Sequence, residues 1–341
     1  MPAKPRPALL PRFLLAVLAL LALLVLLGAG HVLLWRWMAG QVEANLAAWE
    51  AARRAEGWIV EHDAPVRAGW PLAVRLGLPA FRLAREGVDW RAASIELRIA
   101  LAQPGRLVVD MAGEHRLRLG QADWPVQAGA LSASLPVERR ALPSEAAIRG
   151  AGLRLGGIGV AALRLDLETR EGALEGEPAL ALRGTLDGVD LPVALAALGP
   201  RIEGLALDTV LTGPMPPPAN LAARATGWRD GGGTLALRRL DLRWGPVTAA
   251  LDATLALDQA LQPMGAGTLR LTGAEAALDA LAAAGMLAPR GAAGARVMAG
   301  LLGRVPPEGG PPRIEVPLTL DRQRLTLAGL PLARIETWRW P

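Results

Sequence analysis

Three periodicities divide the chain. From Phe13 to Leu34 there is no alternation: 22 residues read FLLAVLALLALLVLLGAGHVLL, without a charge and with His31 as the one strongly polar side chain. At ~1.5 Å rise per residue this length crosses a ~30 Å hydrocarbon layer, and a helix pairs its own backbone groups there. The pattern predicts a transmembrane helix over 13–34. Beyond it, Trp35, Met38, Val42, Leu46 and Trp49 recur at three- and four-residue spacing. That gives one apolar stripe and predicts an amphipathic stalk helix over 35–57, with Gly57 as its stop.

From Trp58 the period falls to two. Val74, Leu76 and Leu78 alternate with Arg75 and Gly77, and Ile95, Leu97 and Ile99 alternate with Glu96 and Arg98. Gly105, Gly113, Gly120 and Gly129 punctuate the run like the turns of a meander. Such alternation marks strands with one apolar and one wet face, and predicts a first antiparallel β region over 58–145. A second, over 146–341, continues through Leu163, Leu165, Leu167, Leu180 and Leu182. It runs on through Ile202–Leu211 and Thr234–Leu242 to a closing hairpin, Ile314–Leu320 with Arg324–Leu327. Helices are expected near 190–198, where Asp190 suits an N-cap and Gly199-Pro200 a stop, and over 274–303. Gly184-Thr185-Leu186 and Gly267-Thr268-Leu269, 83 residues apart, each precede one of these helices and suggest a repeated strand–helix–strand unit. The fold class is therefore mainly β (α+β): an N-terminal transmembrane helix, then large antiparallel sheet with a few short packed helices.

Charge orients this plan. Lys4, Arg6 and Arg12 precede the apolar run and Arg36 follows it, so residues 1–12 are expected in the cytoplasm and the rest across the membrane. Trp35 and Trp37 sit where aromatic side chains anchor a helix at headgroup level. Gly28-Ala29-Gly30 is a poor cleavage site, and the apolar run exceeds the ~7–15 residues of a signal peptide, so an uncleaved anchor is expected. The formal charge is +5, from 37 bases and 32 acids, but three of the bases precede the anchor. The exported part keeps 34 bases against 32 acids, which is no footprint for nucleic acid. With no cysteine, neither a disulfide nor a thiolate site is available.

The chemical inventory is thin. The three histidines, His31, His62 and His115, show no metal-ligand spacing, with His115 expected in a turn. Ser94, Ser132, Ser134 and Ser144 are the only serines, and none lies in a nucleophile motif. Gly231-Gly232-Gly233 precedes a strand, not a phosphate-binding helix. No catalytic, cofactor or metal site is expected, and the chain reads as non-enzymatic. Its leucine-rich sheet face still needs a cover, from its own helices or from a ligand. Trp58, Trp70, Trp90 and Trp124 would be core or would border an apolar groove. The leading expectation is an inner-membrane protein with a periplasmic domain that binds a lipid, an acyl chain or another apolar ligand. The alternative is a structural module that organises envelope proteins, and a third is a hydrolase with a site of scattered Asp and Arg.

Four features in order carry a resemblance: the N-terminal anchor, the stalk ending in Gly57, the Gly69-Trp70-Pro71-Leu72 turn, and Asp89-Trp90-Arg91-Ala92 before a strand. With the Ile314–Leu332 hairpin and its Gly329-Leu330-Pro331, they resemble the bacterial family catalogued as domain of unknown function 2125. The departure is Arg322-Gln323, where a glycine turn is expected. The resemblance implies a proteobacterial envelope location and supplies no activity and no site residues. A looser likeness, at the level of fold, is to AsmA-type envelope proteins, which have long β-sheets and apolar grooves.

Overall fold

A computed structural model describes residues 9–340 apart from 139, 141, 196, 217–219, 284–288, 306 and 308. Lys4 and Arg6 lie outside the described residues. The predicted anchor and stalk form one unbroken helix, α1 (Leu9–Ala55), roughly 70 Å long at 1.5 Å per residue. Its apolar window has mean hydropathy 2.7 and no buried residue, so its length and composition suit a membrane anchor or a signal sequence. Beyond Leu34 it is no free stalk. Ala39 and Val42 are buried against the sheet, with Trp35, Met38 and Leu46 packed beside them.

The strands are β1 (Ile59–Glu61), β2 (Val66–Ala68), β3 (Ala73–Arg85), β4 (Val88–Ala100), β5 (Arg106–Asp110) and β6 (Gly113–Leu119). They continue as β7 (Ala122–Pro136), β8 (Glu145–Leu155), β9 (Ile158–Thr169), β10 (Pro178–Leu195), β11 (Gly199–Thr212) and β12 (Leu235–Trp244). The last are β13 (Val247–Leu257), β14 (Pro263–Thr272), β15 (Arg313–Asp321), β16 (Arg324–Leu327) and β17 (Leu330–Arg334). All seventeen belong to one antiparallel sheet. From β7 to β17 each strand pairs with the next in sequence, so the two predicted β regions are continuous. At the start, β1 and β2 both lie on β3, and β5 and β6 lie end to end between β4 and β7.

A crease crosses this sheet. In β3 the buried residues are Val74, Leu76 and Leu78, then Phe81 and Ala84, so the alternation slips by one at Ala80, whose φ is 50°. In β4 it slips between Ala92 and Ile95. Residues on both sides of the slip nevertheless share one core with α1. The slip therefore keeps the apolar face continuous although the backbone alternation changes phase, and the β3–β4 register runs through it unshifted. The same slip separates β5 from β6 and passes Gly129, Gly152 and Gly188, the last two both at φ 59°. Beyond it the partners Ala128, Leu153, Val160, Val189 and Ile202 carry the apolar phase. A left-handed φ costs an L side chain roughly 1–2 kcal/mol, which is why glycine holds two of these positions.

Several expectations fail here for local reasons. Among the described residues no helix forms near 190–198: β10 runs to Leu195, pairing Asp190 with Arg201 and Leu195 with Gly199. Strand pairing outweighs the Asp190-Pro192 signal, and Pro192 sits in the register shift between Asp190 and Leu195, where a missing N–H is tolerated. The 83-residue echo is therefore not a repeated strand–helix–strand unit. Only its second member holds helices, α3 (Ala274–Ala283) and α4 (Pro289–Leu302), between β14 and β15. A further helix, α2 (Leu221–Asp230), was not expected. Asn220 caps it by accepting from the Ala223 N–H at 2.8 Å, and Gly231 to Gly233 carry the chain out of it. Arg322 and Gln323 make the β15–β16 turn without glycine, at φ 44° and 64°.

Candidate functional site

The crease and the alternation together build an apolar trough. One row of cross-strand partners runs Leu76, Leu97, Val109, Ala133, Ile148, Leu165, Gly184, Leu207, Leu240, Leu251, Leu269, Val316. It crosses from β3 to β15 without a polar side chain. Leu167, Leu182 and Thr209 form part of a parallel row beside it.

The cover over this row changes along its length. At one end α1 seals it, and Val74, Leu76 and Leu78 are each 1% exposed. At the other end α3 and α4 pack near β13 and β15, where Ile314 and Val316 are buried. Between these covers Leu165, Leu182, Leu207, Leu240 and Leu251 remain only half-buried. An aliphatic side chain left part-wet forgoes stabilisation at ~25 cal/mol per Å² of apolar surface, and a run of them is a surface that favours an apolar occupant.

The opposite face carries cross-strand ion pairs. Cross-strand pairs join Arg149 to Asp166 at 2.5 Å, Arg164 to Asp187 at 3.4 Å, Arg183 to Glu168 at 2.9 Å and Arg270 to Asp252 at 2.7 Å. Exposed pairs of this kind each stabilise by at most ~1 kcal/mol. Their larger effect is to fix which face stays wet. This outer face also holds a hollow of about 730 Å³, lined by Asp187, Arg239, Asp241, Arg243, Arg270 and Arg313 among others. Its two carboxylates are already engaged, Asp187 with Arg164 and Asp241 with Arg239. Among the described residues no cluster of three or more His, Asp or Glu is arranged to hold a metal.

The four tryptophans expected to act together are divided. Trp90 packs on Phe81 (ring centroids 5.4 Å apart) and His115 (6.1 Å), within the sealed core. Trp58 also joins that core, with the Arg85 guanidinium 5.8 Å from its ring. Trp124 is half-exposed on β7 opposite Leu117, and Trp70 is exposed in the β2–β3 loop. Trp35, expected at the membrane surface, turns its indole N–H to the Ala73 carbonyl at 2.7 Å, whereas Trp37 points outward.

Histidine placement differs too. His115 lies inside β6, not in a turn. It is buried, with Nε2 2.6 Å from the Met111 carbonyl and Nδ1 unpartnered. His62 bridges the sheet to α1, its Nε2 2.6 Å from Glu50. Burial pushes its pKa down, but the Asp63 carbonyl and the Glu50 carboxylate outweigh that, and the net shift is upward. Asp89, held by Arg91 and Arg82, falls to about 2.

These features define a class: a protein with a long apolar N-terminal helix, suited to a membrane anchor or a signal sequence, whose single creased sheet is apolar on one face and ion-paired on the other. The model of the family described as "Uncharacterized protein conserved in bacteria (DUF2125)" matches residues 35–336, so the chain belongs to that family. No curated protein and no solved structure matches it, so nothing in these comparisons supports the AsmA-type likeness.

Proposed function

We propose that this is a membrane-anchored envelope protein, non-enzymatic, whose trough accommodates an acyl chain or a ligand of similar apolar character. The observation that carries the reading is the half-buried stretch of the aliphatic row, Leu165 to Leu251, between two sealed ends. A trough of that kind suits a long chain better than a compact molecule, because the row has length and no polar group to orient a head. The uncharged 13–34 segment and the three preceding bases support an anchor with its N-terminus in the cytoplasm and the sheet in the periplasm. The paired carboxylates of the outer hollow favour a role without catalysis over a hydrolase.

Native mass spectrometry of the chain extracted in mild detergent tests the reading. A fraction carrying one or more lipid masses is expected. A chain that arrives bare, or one carrying a stoichiometric protein and no lipid, overturns it. The second outcome would favour the structural module instead.

A further inference from the structure

Resting on the reading that residues 13–34 of α1 cross a membrane, we infer that the β2–β3 loop is a second membrane contact. It would insert Trp70 and Leu72 into the interface beside the anchor. Two hydrogen bonds fix the loop's height on the helix. His31 Nε2 lies 2.7 Å from the Pro71 carbonyl, and the Trp35 indole N–H donates to the Ala73 carbonyl at 2.7 Å. The Trp70 ring meets His31 edge-on at 6.5 Å. His31 belongs to the last turn of the uncharged run and Trp35 directly follows it. A loop tied to both residues stands at the depth where the span leaves the hydrocarbon.

Its side chains suit that depth. Trp70 is 58% exposed and Leu72 77% exposed, although both are large and apolar. Tryptophan is enriched at the headgroup level for its apolar ring and polar N–H. The apolar rim also extends sideways. The Leu101 N–H donates to the Leu72 carbonyl at 3.0 Å, and the Val137 N–H donates to the Gly105 carbonyl at 2.8 Å. Val137 is itself exposed. The turns 69–73 and 101–105 contain no charged residue, whereas the turn at the other end of β3 reads Arg85-Glu86-Gly87. The two ends of the first hairpin therefore differ in the way expected if one meets lipid and the other water. The loop pins the sheet upright on the helix and holds one end of the trough at the bilayer surface.

The absence of cysteine makes the test direct. Single variants Leu72→Cys, Leu33→Cys and Glu86→Cys of the full chain are labelled with an environment-sensitive fluorophore and reconstituted in nanodiscs. The nanodiscs contain phosphatidylcholine with or without spin-labelled quencher lipid. The inference expects quenching at positions 72 and 33 and none at 86. Quenching at 33 without quenching at 72 overturns it and leaves the anchor intact. No quenching at 33 overturns the membrane reading itself, and this inference with it.

Discussion

Leu76 and Leu207 occupy the same row of cross-strand partners, on strands of the same sheet, and differ in what covers them. Replacing each by alanine separates a trough from a core. Leu76 is 1% exposed, under α1. Its truncation removes buried carbon and leaves a cavity, a loss of roughly 3 kcal/mol within the usual 2–5 range. Leu207 is half-buried between Gly184 and Leu240. About three carbons at ~0.8 kcal/mol each, reduced by up to about a third for exposure, give ~2 kcal/mol, and a void open to solvent adds no cavity term. The assay is urea unfolding of the full chain in a fixed detergent, followed by far-ultraviolet circular dichroism. The two variants should differ by about 1 kcal/mol. Equal losses of ~3 kcal/mol would mean that the face at Leu207 is as sealed as the face at Leu76, and the trough would not exist.

Other consequences follow from the same geometry. Asp89→Asn should cost about 1–2 kcal/mol at neutral pH. That rests on a carboxyl lowered from 3.8 to about 2 at ~1.4 kcal/mol per unit, discounted because the Arg91 side chain is 54% exposed. That stabilisation is present above pH 3.8 and is lost as pH falls through about 2, so acid unfolding curves of the two proteins should converge there. His62 has the opposite sign. Its folded pKa lies above the ordinary 6.5, so its contribution is complete below 6.5 and disappears as pH rises through the folded value. His62→Gln should flatten the pH dependence of stability in that window, read from thermal melts. Gly188→Ala places a Cβ at φ 59°, 3.1 Å from the Ala161 Cβ, and should destabilise by about 1–2 kcal/mol in urea titration.

Much of the secondary structure was legible because it follows from side-chain period. The uncharged run, the three- and four-residue stripe after Trp35, and the alternation from Val74 onward each identify an element type from local residues alone. The helix over Ala274–Ala283 was legible for the same reason. What escaped was where alternation changes phase. Leu78 to Phe81 and Leu186 to Val189 are three-residue steps beside Ala80 and Gly188, and these slips were the available sign of the crease. Near 190–198 a plausible cap and a proline pointed to a helix, but a register with β11 set by distant residues won. Asn220 and Gly231 did bracket α2, hidden beside a proline run. The candidate site was legible as a leucine-rich face. Its covered and uncovered portions were not, because cover depends on where α1, α3 and α4 come to rest.

On the proposed reading one face of this sheet receives an apolar chain and the other does not. Adjacent residues of β10 test it most directly, since Leu182 lies in the apolar phase and Arg183 pairs with Glu168 on the charged face. A photo-crosslinking amino acid is placed at each position in turn, in cells fed an alkyne-bearing fatty acid that enters the lipid pool. Covalent lipid is then read on the purified protein. Lipid should attach through position 182 and none through 183. Equal labelling at both positions, or none at 182, would contradict it.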